Sequence, residues 1–135
     1  MQPFDIAADA DRQVLRTYFR GIVTPQALQA AAERSASLIA EMKPGFVVVA
    51  DLSEVEQMDL DCVPHVTRLM DLFRRAGVGR VVRIIPDSTK DIGFTLLSHT
   101  HYRGEVPFET LASPAEAEKV LAALPRSKTI NVPTV

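Results

Sequence analysis

Phe46-Val-Val-Val-Ala50 is a continuous run of β-branched and apolar side chains, the pattern of a central parallel strand covered on both faces. Val81-Val-Arg-Ile-Ile85 repeats that character about thirty residues later. Between the two runs, Val63, Val66, Leu69, Met70 and Phe73 make a single apolar stripe at helical spacing. Arg74 and Arg75 suit the negative end of that helix, and Gly77 suits its C-cap. Strand, helix and strand in this order imply a right-handed crossover within a parallel sheet. The segment from Asp51 to Asp61, rich in carboxylates, reads as an acidic turn carrying the chain from strand to helix. In open α/β sheets that location, at the carboxyl end of a strand, is where side chains converge on ligands or partners.

The flanking sequence completes the sheet. Phe4-Asp-Ile6 and Val14 to Phe19 read as two short strands around the polar Asp9-Ala-Asp11-Arg12, a hairpin that Gly21 ends. Thr24-Pro25 supplies an N-cap with proline in the first turn, and Leu28, Ala31, Ala32, Ser35, Leu38, Ile39 and Met42 follow as a helix that Pro44-Gly45 stops. After Ile85, Pro86 to Thr89 is turn and cap chemistry, and Ile92, Leu96 and Leu97 line a further helix. Val106 to Thr110 is a short strand, and Pro107 assigns it to an edge because proline cannot donate to a ladder. Ser113 and Glu116 form a capping box ahead of a last helix faced by Ala117, Val120, Leu121 and Leu124.

A chain of 135 residues is one domain's worth and can bury a core without disulfides or metal. The expected architecture is α/β: one domain over residues 1–125, with a mixed sheet of about five strands, the hairpin first and parallel strands after it, and about four helices. Residues 126–135 carry too little apolar content to pack and are expected to be a flexible tail. Fifteen basic against seventeen acidic residues leave no electrostatic footprint for nucleic acid. The single Cys62 cannot close an intramolecular disulfide, the N-terminus lacks a signal-peptide pattern, and no apolar run reaches the roughly 20 residues of a membrane helix. The expectation is a cytoplasmic protein that does not span a membrane.

The order and spacing of these segments carry a resemblance. An apolar strand, Asp51-Leu-Ser53, a short spacer and Met58-Asp-Leu-Asp-Cys-Val63 resemble the central motif of STAS domains, the SpoIIAA-like anti-sigma factor antagonists. In that motif Asp-Leu-Ser is followed by an apolar residue and Asp-Ser-Ser-Gly-Leu opening a helix. Gly21-Ile-Val-Thr24 resembles the family's approach to its first helix, and Arg75-Ala-Gly77 resembles its Arg-x-x-Gly stretch. The resemblance covers Phe4 to Leu124. It implies a STAS fold and a non-enzymatic regulatory module that binds another protein, such as an anti-sigma or kinase-type regulator, with a homo-oligomer left open. It also marks a departure, because the family's phospho-acceptor Ser position is held here by Asp61. Aspartate carries a fixed charge of about −1 and no hydroxyl, where phosphoserine brings about −1.5 to −2.

The partner-binding candidates are Asp59, Leu60, Asp61, Cys62 and His65, expected to project at the carboxyl edge while Val63 and the rest of its stripe face inward. Asp59 or Asp61 is also placed to cap the helix that begins near Cys62. The adjacent Asp61 opposes thiolate formation, so Cys62 reads as a small buried or semi-buried side chain rather than a nucleophile. Two alternatives come from other classes. A SpoIIAA-like carrier of a small lipid-like ligand would line its cleft with Phe94, Leu97 and Tyr102. A Mg²⁺-dependent phosphotransfer enzyme would draw on Asp51, Asp59, Asp61 and Asp87. His65, His99 and His101 lack metal-ligand spacing, and no cofactor or metal site is expected.

Overall fold

A computed structural model describes residues 3–58, 60–85 and 107–123, with the backbone alone at Leu60 and Phe108. The strands are β1 (Phe4–Asp9), β2 (Val14–Val23), β3 (Val47–Met58), β4 (Arg80–Ile84) and β5 (Phe108–Leu111). They form one sheet in sequential order, β1 antiparallel to β2 and every later neighbour parallel. The expected mixed five-stranded sheet is therefore present, with β5 at an edge. The helices are α1 (Pro25–Ile39), α2 (Val63–Arg75) and α3 (Pro114–Ala123), and a 3₁₀ turn over Leu60–Cys62 precedes α2. The expectation of about four helices is not borne out, since three occur among the described residues. The helix expected around Ile92 to Leu97 and the tail at 126–135 lie outside them. No helix among the described residues is long and apolar enough to cross a membrane.

Alternation along the strands decides what each face buries. Leu15, Phe19, Val48, Leu52, Val81 and Ile85 point to the face covered by α1 and α2. Val14, Val47, Val49, Val82 and Ile84 point to the opposite face, where Ala117 and Leu121 of α3 cover them. The Phe4 and Phe19 rings meet edge to face at 5.2 Å across the β1–β2 pair. Gln13, at φ 56°, turns the hairpin and ties it to the next crossover, its side-chain oxygen accepting from the Lys43 amide at 2.7 Å.

Caps follow the sequence at both outer helices. The Thr24 hydroxyl accepts from the Ala27 amide at 3.2 Å, and the Ser113 hydroxyl accepts from the Glu116 amide at 3.3 Å. The Glu116 carboxylate reaches back to the Ala112 amide at 3.1 Å. Helix α1 stops at Ile39, a turn short of Met42, and Met42 is buried from the loop that follows.

Two strands run further than their composition suggests. Gly21, at φ 58°, does not end β2, which continues to Val23. The stretch expected as an acidic turn is the second half of β3, from Asp51 to Met58. Its apolar residues Leu52, Val55 and Met58 are three apart, which a regular strand would send to alternating faces. Two register shifts against β2 correct this: from Tyr18 to Arg20 the partner on β3 moves from Asp51 to Glu54, and from Gly21 to Ile22 it moves from Val55 to Gln57. Each is a bulge with the extra residue in β3, so all three apolar side chains reach the α1–α2 core while Glu54, Glu56 and Gln57 stay exposed. The Asp51 carboxylate holds the first bulge, accepting from the Ser53 amide at 2.9 Å and the Ser53 hydroxyl at 2.6 Å.

Candidate functional site

The parallel strands β2 and β3 end together, Val23 opposite Met58, and the chain crosses from there into the 3₁₀ turn and α2. Of the residues expected to bind a partner, Leu60, Asp61, Cys62 and His65 lie along this crossing. Asp61 is exposed in the turn, and His65 is half-buried on the first turn of α2. Leu60 opens the 3₁₀ turn, and Asp59 lies outside the described residues.

Cys62 does not belong to the exposed set. It is 1 % exposed, and its thiol donates to the Val23 carbonyl at 3.3 Å, so it joins the helix start to the end of β2 from inside. Its position also corrects the capping expectation. Cys62 itself holds the cap position of α2, in helical geometry and with no side-chain capping bond, while Pro64 in the first turn removes one of the orphaned amides. The Asp61 carboxylate makes no hydrogen bond among the described residues. Val63 reverses a second expectation: it is 39 % exposed, because the apolar stripe of α2 starts one turn later at Val66.

The residue that sequence reading missed is Ile22. At 59 % exposure it is, with Val63, one of the two exposed large hydrophobic side chains among the described residues. Each is one residue away from the Val23–Cys62 contact, so both flank the same edge. Val23 packs inward beside Thr24, and period-two alternation then turns Ile22 outward.

A recess of about 50 Å³ opens between α2 and the sheet, lined by Phe19, Val48, Val66, Met70 and Phe73 among others, with Thr17 and Arg83 at its polar margin. Cavities that take up a molecule the size of benzene are nearer 150 Å³, so this recess is the smaller of the two. Phe94, Leu97 and Tyr102, the lining expected for a carrier, lie outside the described residues. Thr17 donates to the Val49 carbonyl at 3.2 Å, and Arg83, 3 % exposed, donates to the Thr110 hydroxyl at 2.7 Å, which ties β4 to β5. Asp51 is occupied with Ser53, and no group of three His, Cys, Asp or Glu side chains converges among the described residues; Asp59 and Asp87 are not among them.

Comparison with known proteins places the fold. No protein-family model and no curated protein matches the sequence. Among solved structures, the chain is similar to the anti-sigma factor antagonist SpoIIAA in its unphosphorylated form, with a TM-score of 0.61 and 17 % identity over 90 % of this chain and 99 % of that one. An uncharacterized DUF3478-family protein with a SpoIIAA-like fold from Shewanella loihica matches with a TM-score of 0.64, 16 % identity and coverage of 87 % and 91 %. An anti-sigma factor antagonist from Mycobacterium paratuberculosis matches at 0.52, with 18 % identity and coverage of 88 % and 94 %. The chain therefore has a SpoIIAA-like, STAS-type fold.

Proposed function

We propose that this SpoIIAA-like domain is a non-enzymatic, cytoplasmic regulatory module that binds another protein through the edge where β2 and β3 end and α2 begins. One observation carries the reading: the two exposed large hydrophobic side chains among the described residues, Ile22 and Val63, both flank this edge beside the exposed Asp61. An aliphatic side chain on the surface gains from being covered, roughly 25 cal/mol per Å² of apolar area removed from water. The other large aliphatic side chains among the described residues are buried or half-buried in the fold itself. Two of the solved relatives are anti-sigma factor antagonists, which supports a protein as the ligand.

Aspartate at position 61 changes how such a module is controlled. With no hydroxyl there, a serine kinase has nothing to modify, and the charge of about −1 is permanent. Asp61 thus fixes the edge in one electrostatic state, and occupancy is set by the partner's concentration and its own modifications. Affinity capture from native lysate tests the reading, using wild-type, Val63→Ser and Leu60→Ser proteins as bait. A specific protein retained by wild type and reduced at least about tenfold by Val63→Ser is the expected result. Equal retention by well-folded variants would move the interaction to another surface.

A further inference from the structure

The charge at this edge is concentrated and one-sided. From Pro44 to Thr67 the chain has five carboxylates and no lysine or arginine. The whole chain is at −2, so the remainder carries a formal +3 against −5 in this one segment. Bulging places Glu54 and Glu56 on the exposed side of β3, and Asp61 stands outward in the 3₁₀ turn. The ion pairs found among the described residues are Arg16–Glu118, Arg34–Asp5, Arg74–Asp71 and Arg80–Glu109, and none of them takes in these three acids. Arg20, in register with Glu54, lies over the Tyr18 ring with its Cζ 4.9 Å from the centroid. The same edge carries Ile22 and Val63, so exposed aliphatic groups sit near carboxylates that no ion pair among the described residues takes up.

We propose that the occupant of this edge is a cationic amphipathic segment of a partner protein, with an aliphatic or aromatic anchor on Ile22 and Val63 and Arg or Lys side chains against Glu54, Glu56 and Asp61. The proposal rests on the protein-binding reading above and adds the chemistry of the partner. Charge complementarity selects it: interfaces pair potentials of opposite sign, and like charges facing one another cost several kcal/mol. The acidic rim excludes phosphate-rich partners, whether nucleic acid or an anionic lipid surface. An acidic protein surface is excluded in the same way. The apolar pair excludes a purely electrostatic contact, because a polycation without an anchor leaves Ile22 and Val63 in water. Steering by the rim makes association fast at low salt and slower as salt screens it.

The test uses a labelled synthetic peptide of about sixteen residues with leucine on one helical face and arginine on the other. Two controls accompany it, the same peptide with glutamate for arginine and an oligoarginine without leucine. Anisotropy should show binding of the leucine–arginine peptide and at least about tenfold weaker binding of both controls. Amide shifts should cluster at residues 20–23 and 54–65. Ile22→Ser with Val63→Ser, and separately Glu54→Gln, Glu56→Gln and Asp61→Asn together, should each weaken binding at least about tenfold while circular dichroism stays unchanged. Equal binding of the glutamate peptide, shifts on another face, or folded variants that bind as wild type would overturn the proposal. A partner captured from lysate through Val63, but indifferent to the three neutralising substitutions, would sink the cationic partner and leave the protein-binding reading standing. Peptide binding at this edge with no Val63-dependent capture would do the reverse.

Discussion

Asp61 is central to the functional reading, and its contribution to stability is measurable against a cap elsewhere in the same chain. At Thr24 the hydroxyl accepts from the Ala27 amide, so Thr24→Ala leaves one first-turn donor of α1 without its partner. Such caps contribute about 1 kcal/mol, within a range of roughly 0.5 to 2. At Asp61 no bond to the first turn of α2 is present, Cys62 holds the cap position and Pro64 has removed an orphaned amide. What Asp61 retains is a screened interaction with the positive end of α2, a few tenths of a kcal/mol for an exposed carboxylate. Urea titration of the wild type, Thr24→Ala and Asp61→Ala separates the two. With a slope near 2 kcal/mol per molar urea, the Thr24 variant should unfold about 0.5 M earlier and the Asp61 variant within about 0.2 M of wild type. A loss above about 1 kcal/mol in Asp61→Ala, with an unchanged slope, would refute the argument and make Asp61 a structural cap rather than a surface charge.

Three further expectations concern the scaffold. Ser35 is 0 % exposed on α1 and its hydroxyl has no hydrogen-bond partner, so Ser35→Ala should raise stability by up to about 1 kcal/mol, and a clear loss in thermal or urea unfolding would contradict this. Cys62, buried with its thiol on the Val23 carbonyl, should resist a thiol reagent in the folded protein and react fully in denaturant; rapid labelling of the native state would show the edge to be open. A Cβ at Gly79 would stand 2.8 Å from the Gly45 carbonyl oxygen, where the 44–46 and 77–79 segments are bonded together, so Gly79→Ala should cost about 1 to 3 kcal/mol of overpacking. Wild-type stability in that variant would show that the two segments separate easily.

The hairpin and the parallel strand–helix–strand unit were legible from the sequence because they follow from strong, local patterns. The runs at Phe46 and Val81 are apolar on both faces, and the stripe from Val66 to Phe73 is unambiguous at helical spacing. The caps at Thr24 and Ser113 were legible for the same reason, each being a short-range bond between neighbours. The second half of β3 was not legible. Apolar residues at spacing three, separated by acids, satisfy neither strand nor helix periodicity, and only pairing with β2 through two bulges makes them a strand. That pairing is a tertiary event, and it also carried Glu54 and Glu56 to the surface. At the candidate site, sequence placed Asp61 and His65 where the strand hands over to α2, and the structure has them there. Sequence reasoning set Cys62 among the projecting residues while also reading its side chain as buried or semi-buried, and it set Val63 inward because the helix was phased from Val63, whereas the buried phase begins at Val66. Ile22 was overlooked because Gly21 read as the end of β2, when its positive φ lets the strand continue through the bulge.

Backbone hydrogen exchange on the complex with the captured partner tests the central claim most directly, since it reports where the chain is covered. Protection on binding should be confined to residues 20–23 and 54–66, with α1 beyond its first turn and α3 unchanged. Protection centred on α1 or α3, with the end of β2 and the start of α2 exchanging as in the free protein, would contradict the account.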